Sequence, residues 1–147
     1  MISHGIRLHT IGDPSRIPPY LKEVVDATRQ ATEAASQFNL VLALNYGGRD
    51  EIRRAIHSIL DDYDKEKVKR EQITESLISQ HLDTKAWGDP ELLIRAGGEL
   101  RISNFLLWQI SYAEIYVAPV LWPEFTPELL LQAIKSYQQR ERRLGGA

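Results

Sequence analysis

Apolar and polar residues alternate over Ile6–Ile11, and the run stops at Gly12-Asp13-Pro14, which predicts a half-buried strand closed by turn residues. From Pro18 or Pro19 to about Phe38 the period lengthens. Leu21, Val24, Val25, Ala31, Ala34 and Ala35 recur at spacings near three and four, predicting a helix whose first turn suits the prolines. Residues 40–44 form an unbroken apolar run before Asn45-Tyr46-Gly47-Gly48, the pattern of a buried parallel strand followed by a tight turn. A second helix is predicted over residues 49–64, with Ile52, Ile56, Ile59 and Leu60 as its apolar face. The charged stretch 65–72 reads as a solvated helix end or linker, and Thr74 as the cap of a short helix to His81. Residues 91–94 predict a brief strand ending in Arg95, and Ala96-Gly97-Gly98 a turn. A helix over 104–112 and a strand over Glu114–Val117 follow. Thr126 caps a last helix to about Arg142, stopped by Gly145-Gly146.

Strand alternating with helix predicts an α/β fold, a mostly parallel sheet with helices on both faces. A length of 147 residues predicts one domain spanning 1–147. Composition narrows the chemistry. There is no cysteine, which excludes a disulfide scaffold, a zinc ribbon and a thiol nucleophile. The net charge of −2 gives no general electrostatic footprint for nucleic acid. No signal peptide opens the chain and no run of about 18 apolar residues is present, so a cytoplasmic location is expected, with at most peripheral membrane contact.

Ligands of open α/β sheets bind beyond the carboxyl ends of strands. The segment from Arg95 to Asn104 is the most informative such end. Two arginines flank a Gly-Gly turn, and Ser103 follows at a predicted helix start. Glycines let backbone approach an anion, helix N-termini offer free N–H groups, and guanidinium forks match phosphate oxygens. That is a diphosphate-shaped arrangement, without a Walker loop or a G-x-G-x-x-G fingerprint. The plainer alternative is a turn whose arginines are solvated or paired with Glu99. Glu114 lies in an apolar stretch, where a carboxylate is costly unless it binds a metal or pairs with a nearby arginine. Both readings stay open on spacing alone.

The stretch LLIRAGGELRISNFLLWQISYAEIYVAPVLWPEF, running from Leu92 to Phe125, closely resembles the C-terminal signature of the cis-prenyltransferase (undecaprenyl diphosphate synthase) family. The NYGGRDEI block from Asn45 to Ile52, the segment Arg7-Leu8…Ile11-Gly12-Asp13, and Glu141-Arg142-Arg143-Leu144-Gly145-Gly146 resemble further family elements, the last a terminal R-x-G. The resemblance implies a Mg²⁺-dependent cis condensation of isopentenyl diphosphate onto an allylic diphosphate, usually farnesyl diphosphate, giving the polyprenyl precursor of a cell-wall lipid carrier. It implies that Arg95, Arg101, Ile102 and Ser103 hold isopentenyl diphosphate and that Glu114 is a Mg²⁺ ligand. Arg143 and Gly145 would reach the partner subunit's diphosphate site. A homodimer would form through the 105–112 segment, from Phe105 to Tyr112.

Ala96 stands where the family usually has Thr or Ser, and Leu100 where a polar residue, commonly His, is found. The family's opening D-G-N-x-R-W motif and its Asn-x-x-Arg pair are not found. The chain therefore reads as the C-terminal part of such a domain, inactive alone. The alternative is a non-catalytic interaction subunit of a heteromeric cis-prenyltransferase. Retention of Arg95, Arg101, Ser103 and Glu114 argues against it. A third option, an unrelated phosphate-binding module, requires the long match to be accidental.

Overall fold

The computed structural model describes residues 1–140 and divides the chain into two compact units, Met1–Ala86 and Trp87–Ala147, the second described as far as Arg140. The first unit runs β1 (Ile6–Ile11), α1 (Pro19–Ala31), β2 (Phe38–Ala43), α2 (Gly48–Asp64) and α3 (Glu75–Gln80). β1 and β2 pair in parallel, Leu8 opposite Leu40 and Ile11 opposite Ala43. A parallel pair needs a crossover connection, and α1 supplies it. Leu8, Ile11, Ala55, Ile59 and Leu82 are the buried apolar residues of this unit. Thr74 caps α3 as expected, its hydroxyl accepting from the Leu77 N–H.

Two expectations are corrected here. The first helix ends at Ala31, not near Phe38, and Phe38 already opens β2. Thr32 is the reason. Its hydroxyl donates to the Thr28 carbonyl at 2.8 Å and accepts from the Leu8 N–H at 3.1 Å, so a side chain only 2% exposed ties the helix end to β1. Such side-chain bonds to backbone compete with helix continuation. The buried face of α2 is also different. Gly48, Glu51, Ala55 and Ile59 point inward, while Ile56 and Leu60 are 53% and 51% exposed. Of the four residues expected on the apolar face, only Ile59 is fully buried, because two small residues and a hydrogen-bonded carboxylate form the inward stripe.

The second unit contains β3 (Leu92–Arg95), β4 (Glu114–Val117) and α4 (Pro127–Gln138). β3 and β4 are parallel, Leu92 opposite Glu114 and Arg95 opposite Val117. Ile110, Ala118 and Ala133 are buried. The helix expected over 104–112 does not form. Ser103, Asn104 and Leu106 have φ of 54°, 64° and 45°, left-handed values that a right-handed helix excludes. Separate turns take its place, closed by Ile110 N–H to Leu106 O and Ala113 N–H to Ile110 O. Thr126 caps α4, accepting from the Leu129 N–H, and the helix ends at Gln138 rather than near Arg142.

The α/β expectation with parallel strands and helices holds. The strands pair as two two-stranded sheets, β1 with β2 and β3 with β4. Among the described residues no helix is long and apolar enough to cross a membrane.

Candidate functional site

Arg95 is the last residue of β3, so its side chain leaves from the carboxyl end of a parallel strand. The loop beyond it is fixed by the two glycines. Gly97 and Gly98 adopt φ of 90° and 69°, which their missing Cβ permits. Their N–H groups donate to the Val120 carbonyl at 2.7 Å and the Ala118 carbonyl at 2.9 Å. The loop is thereby pinned to the segment that follows β4. These amides are engaged within the protein, so the backbone cradle expected at this turn does not exist. No helix starts at Ser103 either, so no helix N-terminus is presented there. The positively charged groups of the loop are the guanidiniums of Arg95 and Arg101.

Those groups converge. Arg95 Nη2 donates to Glu99 Oε2 at 2.8 Å, and Arg101 Nη2 donates to Glu99 Oε1 at 2.5 Å. One carboxylate gathers both arginines, the pairing that the sequence left as the plainer alternative. The Arg95 hydrogen bond, with Arg101 adding to it, holds the Glu99 carboxyl below the usual glutamate range. Arg95 Nε is buried and has no hydrogen-bond partner among the described residues. Ile102 and Ser103 follow Arg101 directly and both are exposed. Ala96 is half-buried, and Leu100, at the tip of the loop, is 91% exposed.

Glu114 stands apart from this group. It opens β4 opposite Leu92, whereas Arg95 lies opposite Val117 at the other end of the pair. Three strand residues separate the two levels, about 10 Å at a strand's rise. The Glu114 carboxylate accepts from Arg140 Nη1 at 2.6 Å. Among the described residues no group of three or more His, Cys, Asp or Glu could hold a metal ion. Mg²⁺ favours one or two carboxylates with water and phosphate oxygens around it. Glu114 offers one carboxylate, paired here with Arg140, at the other end of the β3–β4 pair from the arginine loop, and one carboxylate is within what Mg²⁺ takes when water and phosphate oxygens complete its shell. Within 105–112, Phe105 and Tyr112 are exposed, and Gln109 and Ile110 are buried. Arg143 and Gly145 lie outside the described residues.

The first unit holds a second polar cluster at the carboxyl ends of its strands, and sequence reasoning missed its members Arg54 and Asp83. Glu51, 1% exposed in the first turn of α2, accepts from the Asp83 N–H at 2.9 Å and from the Tyr46 hydroxyl. Asp83 accepts from the Gly12 N–H at 2.9 Å and from both terminal nitrogens of Arg54 at 2.7 Å. Arg54 also donates to Asp50. Burial alone would raise the Asp83 pKa, but the bonds from Arg54 and Gly12 outweigh it and hold the carboxyl low. The cluster ties the loop after β1, the loop after β2 and the segment after α3 into one rigid edge. Gly12 sits there at φ 104°, where an added Cβ would lie 2.1 Å from the Leu44 carbonyl oxygen. The signal that could have revealed the cluster is the phase of α2. Glu51 shares the stripe of Gly48, Ala55 and Ile59, which marks it as an inward carboxylate in need of donors.

Comparison with known proteins places the chain. The family model described as "Putative undecaprenyl diphosphate synthase" matches residues 1–145. An isoprenyl transferase of Chlamydia trachomatis is 51% identical over 140 residues, covering 95% of this chain and 55% of the relative. One from Bacillus anthracis is 42% identical over 146 residues, covering 99% of this chain and 57% of the relative. Among solved structures, lavandulyl diphosphate synthase from Lavandula x intermedia, in complex with dimethylallyl diphosphate, superposes with a TM-score of 0.93 at 38% identity over 96% of this chain and 61% of that one. A probable undecaprenyl diphosphate synthase from Campylobacter jejuni gives 0.85 at 35% identity over 98% and 65%. The chain thus spans little more than half the length of the curated relatives it matches. A family match across nearly all of its residues, joined to an arginine pair at the end of a parallel strand, establishes that the chain belongs to the undecaprenyl diphosphate synthase family of prenyltransferases.

Proposed function

We propose that this chain carries the isopentenyl diphosphate half-site of a cis-prenyltransferase that condenses isopentenyl diphosphate onto an allylic diphosphate such as farnesyl diphosphate. The observation that carries the reading is the convergence of Arg95 and Arg101 on one carboxylate beyond the end of β3. Two guanidinium forks aimed at one point suit the oxygens of a diphosphate. Ser103 and Ile102, next to Arg101, would complete the grip.

In the reaction, a carbon–carbon bond forms between the double bond of isopentenyl diphosphate and the allylic carbon. The allylic diphosphate leaves and a proton is lost. Arg95 and Arg101 act by holding the nucleophile's diphosphate so that its double bond faces the allylic carbon, and such positioning supplies much of the rate. The family resemblance assigns Mg²⁺ to this chemistry. Glu114 is the residue proposed to hold that ion, exchanging its pairing with Arg140 for it, and the ion would supply neutralisation of diphosphate charge. A homodimer through the 105–112 segment, contact of Arg143 and Gly145 with the partner's site, and a cytoplasmic setting with at most peripheral membrane contact belong to the same proposal.

The test is calorimetric titration of the 147-residue chain with isopentenyl diphosphate. Arg95→Ala and Arg101→Ala should each weaken binding about tenfold or more, the cost of a charge-assisted hydrogen-bonding partner. Unchanged affinity in both variants would remove the half-site. Supplied with isopentenyl and farnesyl diphosphates, the isolated chain should form no polyprenyl product by radiolabel assay. Robust elongation would overturn that part of the proposal.

A further inference from the structure

Glu99 is not needed to grip a diphosphate, yet it takes a terminal nitrogen of both arginines. Here one carboxylate faces two guanidiniums, Oε2 to Arg95 and Oε1 to Arg101, which leaves net positive charge at the point where the forks meet. The carboxylate belongs to the same loop, pinned through Gly97 and Gly98, so its effective concentration at the arginines is high. An anion from solution has to compete with it.

On the diphosphate reading of this loop, on which the inference rests, we propose that Glu99 is a specificity-determining residue. It acts as a charge threshold that a singly charged or compact anion fails to cross and that a diphosphate crosses. A compact anion that replaces Glu99 regains only what the carboxylate already supplied. A diphosphate brings more charge and enough length to reach both forks at once. It can also offer an oxygen to Arg95 Nε, the buried donor that has no partner among the described residues. Exchange of Glu99 is therefore favourable for the longer, more highly charged ligand only.

The experiment compares inorganic pyrophosphate with inorganic phosphate, titrated calorimetrically into the full chain at low salt without divalent cations. Wild type should prefer pyrophosphate strongly. Glu99→Gln keeps the shape and removes the charge. It should tighten phosphate about tenfold and pyrophosphate about threefold or less, narrowing the preference. Glu99→Asp keeps the charge but is one methylene shorter and should narrow the preference partway, so it carries the test if circular dichroism shows Glu99→Gln misfolded. Arg95→Ala separates the two levels of the argument. If it weakens pyrophosphate binding while the Glu99 variants leave the preference unchanged, the threshold is overturned and the diphosphate site stands. If Arg95→Ala changes neither ligand's affinity, the diphosphate reading falls and the threshold falls with it.

Discussion

Asp83 shows how one side chain can set the acid stability of the edge at the carboxyl ends of β1 and β2. It accepts from Gly12 and from Arg54, and Arg54 in turn reaches Asp50. Burial opposes its ionisation, but the Arg54 and Gly12 bonds more than offset that, so its folded pKa lies below the ordinary value of 3.8. A carboxylate depressed by folding adds stability that is fully present above its unfolded pKa and is lost as pH falls through the folded value. Wild type should therefore lose stability below about pH 4, and Asp83→Asn should flatten that acid limb in urea unfolding. At neutral pH the same substitution should cost about 1–3 kcal/mol, since Arg54 and the Gly12 N–H lose a charged acceptor. An acid limb as steep in Asp83→Asn as in wild type would sink the assignment. Glu99, by contrast, was legible from sequence as the neighbour of two arginines, because a turn of a few residues keeps all three together. Asp83 was not, since its partners Gly12 and Arg54 lie 71 and 29 residues away.

At the scale of the element, α2 separates what periodicity can and cannot give. The 3.6-residue period identified the helix, and its end at Asp64 agrees with the structure. The phase failed, because hydrophobicity alone counts Ile56 and Leu60 as core and Glu51 as surface. Burial here follows the closest approach allowed by Gly48 and Ala55 and the donors waiting for Glu51. The consequence is measurable. Ile59→Ala should destabilise by about 2–4 kcal/mol, as core truncations do, whereas Ile56→Ala and Leu60→Ala should each stay within about 0.5 kcal/mol. Chemical denaturation with an unchanged slope would read the difference. Equal losses at Ile56 and Ile59 would restore the sequence-based face. The 104–112 segment failed differently. Its composition favours helix, but three left-handed residues just at its start prevent a right-handed turn from nucleating. Nothing in Ser103-Asn104-Phe105-Leu106 announces that, apart from the tolerance of Asn for such a conformation.

For the whole molecule, sequence pattern reached the α/β class and all four described strands, because short apolar runs bounded by turn residues are strong local signals. It did not reach the roles of Gly97 and Gly98, whose amides bond to carbonyls beyond β4, a partner that no local pattern reveals. That correction bears on how the chain meets anions. Its net charge is −2, so the long-range field mildly repels a diphosphate, and on the proposed half-site reading attraction comes from the arginine pair at contact range. Salt screens both, with a Debye length of about 10 Å at 0.1 M. The two terms differ in reach and in size. Repulsion is spread over the whole surface, whereas attraction is concentrated in two guanidiniums, one of them, Arg101, 66% exposed and open to counterions. Had the glycine amides formed the cradle, fixed dipoles shielded by backbone would grip the ligand and salt would matter little. With arginines as the grip, raising salt from about 0.05 to 0.5 M should weaken pyrophosphate binding by on the order of tenfold. Arg101→Ala should bind more weakly at low salt and show a shallower dependence, because the more exposed of the two charges is gone. Affinity that rises with salt would mean that net repulsion dominates. A slope unchanged by Arg101→Ala would mean that the anion is held elsewhere than at this loop.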